Sequence, residues 1–243
     1  MHFTSEKRFD DGVLERAFTL DEIPGFLWTP ESVTATTPLI LMGHPGGLSR
    51  MYPRLAARAR HTVSAGFAAA TIELPGCEGR PCSADSLRAR GEMQRALAAG
   101  EPVTPEVIDR LILPLAEQAV PEWQALLDAG LELPGIGGPA GYAGGFISIG
   151  LRMALLEPRI AAATLFAGSF VPRSMLEEAR QVEIPLLVLL QWDDEGNDRQ
   201  LALDLFDAFG SKEKALHANL GGHTGVPESE GDDVTRFFTR HLK

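Results

Sequence analysis

Short apolar runs alternate along the chain with stretches whose apolar residues recur every three or four positions. Such an alternation predicts a mostly parallel sheet with helices on both faces. Val13–Leu20 and positions 25–28 read as an opening antiparallel pair, broken by Ile23-Pro24-Gly25. Positions 38–43 (Pro-Leu-Ile-Leu-Met-Gly) form a buried strand that runs into a glycine-rich loop. A helix follows from about Pro53, with Leu55, Ala56, Ala59 and Val63 on one face, and Gly66 supplies its left-handed stop. Positions 67–74 are the next strand, ended by Pro75-Gly76.

Positions 83–133 are the longest stretch without strand character, with helical pieces over 87–99, 107–120 and 123–131 set apart by Pro102, Pro105 and Pro121. Part of this is a crossover, and about 83–120 reads as a helical insertion over the sheet edge. Leu111, Ile112, Leu115 and Trp123 follow helical spacing, which assigns them to helix packing. A short strand over 139–142, a helix over 144–156 and a strand over 160–166 come next. Positions 184–190 (Ile-Pro-Leu-Leu-Val-Leu-Leu) are the most strand-like run and predict a central strand. A helix over 198–209, a strand over 215–219 and a last helix through Val234, Phe237 and Phe238 complete the pattern.

Neither repeats nor a low-complexity linker interrupt this order, so positions 1–243 read as one domain. The formal net charge of -11 argues against nucleic acid, whose phosphates need a basic surface, and against an anionic membrane. No run approaches the roughly 20 apolar residues of a membrane span, and the opening Met1-His2-Phe3-Thr4-Ser5-Glu6-Lys7-Arg8 lacks a signal-peptide pattern, so a cytoplasmic protein is expected. Cys77 and Cys82 have no histidine beside them to complete a zinc site and read as reduced thiols.

In open α/β sheets ligands bind beyond the carboxyl ends of the strands. Three polar loops fall there: Gly43-His44-Pro45-Gly46-Gly47, Asp193-Asp194-Glu195 and Gly221-Gly222-His223. An acid and then a histidine after two late strands match the order nucleophile, acid, base. Histidine suits a base working near neutral pH, and a carboxylate fixes its tautomer.

These segments, with Ile72-Glu73-Leu74-Pro75-Gly76, Gln191-Trp192 and the turn Gly141-Tyr142-Ala143-Gly144-Gly145, resemble the α/β-hydrolase family, in particular its bacterial esterase-like and dienelactone-hydrolase-like members. The resemblance runs from Pro38 to the last helix and implies a three-layer α/β-hydrolase fold, no cofactor, no metal, and a small ester, lactone or thioester as substrate. The family carries Gly-x-Ser-x-Gly at the turn, and here Ala143 stands in the serine's place. By family spacing Asp194, rather than Asp193, orients His223, and Asp198 is left as a helix cap. Gly144 supplies one oxyanion-binding N–H by the same analogy. Pro45 has no N–H, so Gly46 is the nearest second donor, with Gly47 and Leu48 behind it. His44 braces that loop, and Gly47 and Trp192 are expected beside the substrate.

Two substitutes for the missing hydroxyl fit poorly. Ser148 lacks a leading glycine, and Cys77 is not on the turn. The reading is therefore a serine-hydrolase machinery that is inactive or nearly so as written, with Ala143 as a replaced serine. A natural non-catalytic binding protein and a non-covalent lyase or isomerase using His223 as base stay open beside it.

Overall fold

The computed structural model of the chain describes residues 1–32, 36–224 and 226–243. Its sheet is built from β1 (His2–Arg8), β2 (Val13–Leu20), β3 (Ile23–Pro30), β4 (Leu39–Gly43), β5 (Ala68–Ile72), β6 (Ala140–Gly144), β7 (Ile160–Phe166), β8 (Leu186–Gln191) and β9 (Lys214–Asn219). The strands lie in the order β1-β2-β3-β5-β4-β6-β7-β8-β9. The pairings β1–β2, β2–β3 and β3–β5 are antiparallel, and from β5 to β9 every pairing is parallel. The helices are α1 (Leu48–Ser64), α2 (Ala84–Ala99), α3 (Pro105–Leu131), α4 (Ile147–Leu156), α5 (Ser174–Ala179), α6 (Arg199–Ala208) and α7 (Ser229–Leu242).

Side chains alternate across a strand, so a strand covered on both faces must be apolar at every position. In β4, Leu39 and Leu41 enter the cluster that contains Trp123, Leu126 and Leu127 of α3, while Ile40 and Met42 enter the one beneath α1 and α7. Tyr142 and Ala143 divide in the same way on β6. The Tyr142 ring meets Trp123 edge-on at 5.6 Å. Such a pair adds about 1 kcal/mol beyond the area it buries.

The fold differs from the sequence pattern in several places, each with a physical cause. β1 carries no apolar alternation because it is an exposed edge strand, with Glu6, Lys7 and Arg8 on it. α1 starts at Leu48 and runs through Pro53. α3 is continuous across Pro114 and Pro121, where a break at Pro121 was expected. Both prolines are exposed, where water meets the freed carbonyls, and the buried stripe Ala116, Ala119, Val120, Trp123, Leu126, Leu127 holds the helix to the sheet. β8 stands one place from the sheet edge, between β7 and β9, and not at the centre. Its unbroken apolar run reports burial on both faces, which an off-centre strand also has. β6 extends to Gly144 and α4 begins only at Ile147, three residues later than the pattern suggested. No helix among the described residues is long and apolar enough to cross a membrane.

Candidate active site

The loop after β4 is fastened from inside. His44 is buried, its Nδ1 2.5 Å from the carbonyl oxygen of Gly46 and its Nε2 2.9 Å from that of Ile72. A neutral imidazole can donate to only one of these carbonyls. Glu73, buried just beyond β5, accepts from the N–H of Leu48 at 2.7 Å and of Leu74 at 2.8 Å. Burial pushes the Glu73 carboxyl up, and those two N–H groups only partly offset it. The Gly46 carbonyl is drawn in to His44, and its amide has no acceptor among the described residues. Gly47 caps α1 beside Glu78, whose carboxylate accepts from Ser49 N at 2.8 Å.

The turn after β6 closes against this loop. Gly144 and Gly145 both have positive φ, +80° and +73°, a region that disfavours any residue with a Cβ. A Cβ on Gly145 would also stand 2.8 Å from backbone atoms of Gly43 and His44, so at position 145 glycine is needed for contact as well as for conformation. The sharp strand-to-helix geometry on which a nucleophile is displayed therefore falls on Gly144 and Gly145. Ala143 precedes it, still within β6 and 2% exposed, its methyl on the side of the sheet covered by α1 and α7. Ser148 is buried inside α4, as helix packing requires.

The third part comes from β8 and β9. Their ladder continues past the strand ends, with Trp192 N donating to Asn219 O at 2.7 Å and Asp193 N to Gly221 O at 3.2 Å. That extension brings Asp194 to His223, whose Nδ1–H donates to Asp194 Oδ2 at 2.8 Å. The Asp194 side chain is 5% exposed and that of His223 72%. With Nδ1 committed to the carboxylate, Nε2 is the free basic atom. Asp194 also accepts from Asn197 Nδ2 at 2.5 Å and from Gly196 N at 3.0 Å. Burial pushes its carboxyl up, but the hydrogen bonds from His223, Asn197 and Gly196 outweigh that and hold it below the usual aspartate value. Asp193 is exposed and makes no side-chain contact of this kind among the described residues, and Asp198 caps α6 by accepting from Gln200 N and Leu201 N.

Sequence reasoning missed Asn197, Glu73 and Arg58. The Asn197 Oδ1 accepts from Ser169 N at 3.0 Å and Ser169 Oγ at 3.1 Å, which ties the acid to the loop after β7. Glu73 carried a signal, a lone carboxylate inside an apolar run. Arg58 carried none, because its place depends on a contact between α1 and the carbonyl of Ala143 at the end of β6. Trp192 is half exposed beside Asp194, with the Arg199 guanidinium stacked 4.2 Å from its ring centre. Cys77 and Cys82 are both free thiols, and burial raises that of Cys77.

Two other features lie outside this constellation. His217, Glu230 and Asp233 hold their ligand-type atoms within 4.8 Å of one another. Glu230 already accepts from His217 Nδ1 at 3.0 Å and Asn219 Nδ2 at 3.2 Å, and Asp233 pairs with Arg236, so the trio staples β9 to α7 around the loop that carries His223. A cleft of about 610 Å³, lined by Arg180, Asp204, Asp207, Ala208, Phe209 and Gly210, lies at the far ends of α5 and α6.

No protein-family model matches the chain, and no curated sequence does. Solved structures do. A cold-adapted esterase from an Arctic intertidal metagenomic library, in a PEG-bound complex, is similar over 100% of both chains, with 27% identity and a TM-score of 0.77. A dienelactone hydrolase from Anabaena variabilis is similar over 98% of this chain and 99% of its own, with 18% identity and a TM-score of 0.63. Acetyl xylan esterase 1 from a Thermoanaerobacterium species is similar over 97% and 87%, with 13% identity and a TM-score of 0.61. The α/β fold found here is thus the one these esterases and dienelactone hydrolases share.

Proposed function

We propose that the chain carries a site for a carboxylic ester, lactone or thioester of the α/β-hydrolase type, in which the base arm is assembled and the attacking hydroxyl is lacking. His223 is the base and Asp194 its orienting acid. The amides of Gly46 and Gly144 are the donors for a carbonyl oxygen, and Trp192 and Gly47 flank the substrate. The 2.8 Å contact between the exposed imidazole of His223 and the buried, triply hydrogen-bonded Asp194 carries this reading. Full-length similarity to an esterase at 27% identity supports it. Ala143 occupies the nucleophile's position by motif spacing, and a methyl group forms no acyl-enzyme. Loss of the nucleophile alone lowers turnover by an amount on the order of 10⁶-fold in a comparable triad.

The test restores a hydroxyl. Ala143→Ser is the first variant, and Gly144→Ser the second because the left-handed φ lies there. At least one should hydrolyse p-nitrophenyl acetate or butyrate and be labelled by a fluorophosphonate, while the parent chain is not labelled. Two folded variants with neither property overturn the hydrolase reading.

A non-catalytic ligand-binding role is the second reading. The Arg58 guanidinium favours it, because its Nη atoms lie 3.1 and 3.2 Å from where a Gly144 Cβ would stand.

A further inference from the structure

α1 bears arginines at positions 50, 54, 58 and 60. Arg60 is paired with Asp11 at 2.6 Å. The other three recur every fourth residue and so share one stripe of the helix. Among the described residues none of the three has a carboxylate within ion-pair distance, in a chain with 33 acidic residues against 22 basic ones. An i,i+4 pair of like charges destabilises a helix unless something offsets it.

The stripe leads into the candidate active site. Arg54 Nη2 donates to Thr224 O at 3.4 Å, next to His223. Arg58 reaches the turn after β6, where Nη2 donates to Ala143 O at 3.3 Å and the guanidinium carbon lies 5.9 Å from the centre of the Phe166 ring. That single long hydrogen bond leaves most of its five N–H donors unused. Burial is the main cause that holds Arg58 below the usual arginine value, Tyr142 opposes it, and the charge of Arg54 adds to it. A partly buried cation with no carboxylate beside it among the described residues is costly to keep. The N-terminus of α4 faces the same turn, and no side chain caps it. A helix start of this kind favours an anion.

We propose that Arg58, which lies against the Gly144 turn, binds the carboxylate of a small organic acid, with Arg54 one helical turn away adding its charge. The guanidinium fork matches the two coplanar oxygens of a carboxylate, and the half-buried Phe166 ring offers the acid's apolar end a surface. This shares the location of the ester site proposed above but requires no hydrolytic step. It therefore succeeds or fails separately from the serine variants.

The parent chain is titrated with butyrate, benzoate and inorganic phosphate, read by calorimetry and by the rise in Tm that a ligand of the folded state produces. Butyrate or benzoate should bind. Arg58→Gln should weaken binding by about tenfold or more, as loss of a charge-assisted hydrogen bond implies. Arg58→Lys should fall between the two, and Arg60→Gln should match the parent. Free of the uncompensated charge, Arg58→Gln should melt no lower than the parent without ligand. The proposal is overturned if neither acid binds at tens of millimolar, if Arg58→Gln binds like the parent, or if phosphate binds as well as the carboxylates. Should Arg58→Gln fail to fold, the Arg58 side-chain Nε–H signal in the parent decides. It must shift during the butyrate titration, and a signal that stays in place overturns the proposal.

Discussion

The loop after β4 and the loop after β9 bring the two halves of the candidate site together, and they are held in different ways. The first is fixed from within: His44 reaches two carbonyls and Glu73 accepts two amides, all but the Gly46 contact buried. The second presents His223 to solvent on one hydrogen bond, and its order comes from below, through Asp194, Asn197 and Ser169. A preorganised set of donors must not relax when charge develops on a carbonyl oxygen, so a rigid first loop fits that work. A base has to move a proton between partners, and an exposed ring with a fixed tautomer is enough for it. Internal hydrogen bonds are thus concentrated in the loop proposed to hold the carbonyl oxygen.

That contrast predicts a ranking of stability losses. Glu73→Ala strands the amides of Leu48 and Leu74, and each buried unpaired group costs about 1–3 kcal/mol. Part of this is returned because a buried carboxylate is removed, so a net loss of about 3 kcal/mol is expected from urea denaturation. Asn197→Ala cuts the tie between Asp194 and Ser169 but leaves His223 and Gly196 on the acid. It should cost roughly 1–2 kcal/mol. If Asn197→Ala proves as damaging as Glu73→Ala, the two loops are equally fixed and the contrast fails. His223→Ala removes an exposed ring but also one of the hydrogen bonds that Asp194 accepts, and should cost about 1 kcal/mol. In a serine variant that has gained esterase activity, the same substitution should lower turnover by about 10²–10⁴-fold.

The sheet and most helices were legible because apolar periodicity reports burial directly. Leu39 to Met42 reads as a strand covered on both faces, and it is one. What the pattern could not carry was order across the sheet. The same apolar run that marks β8 as buried says nothing about whether two strands or one lie beyond it. The pairing of His223 with Asp194 was legible in the order of an acid and then a histidine after two late strands, and the structure brings them to 2.8 Å. The turn was legible as a turn, but its register was not. The motif's spacing singles out Ala143, and only the backbone shows that φ turns positive at the residue after it. Arg58 was illegible because the contact that gives it meaning, with the carbonyl of Ala143, joins residues 85 positions apart.

The smallest effect in the series distinguishes the loops by sign. Burial raises the Glu73 carboxyl above its ordinary value, whereas the hydrogen bonds of Asp194 hold that carboxyl below its own. A raised group binds more protons folded than unfolded, so its contribution is full below the unfolded pKa of about 4.3 and is lost as pH rises through the folded value. A depressed group does the reverse. The stability it provides is present above the unfolded pKa of about 3.9 and is lost as pH falls through the folded one. Urea midpoints measured at steps from pH 7 down to the acid limit of folding should therefore diverge. The parent's advantage over Glu73→Gln should grow on acidification, and its advantage over Asp194→Asn should shrink. Equal slopes would mean that the two carboxylates share one environment, and the division between an inwardly locked loop and an outwardly offered one would then have no electrostatic basis.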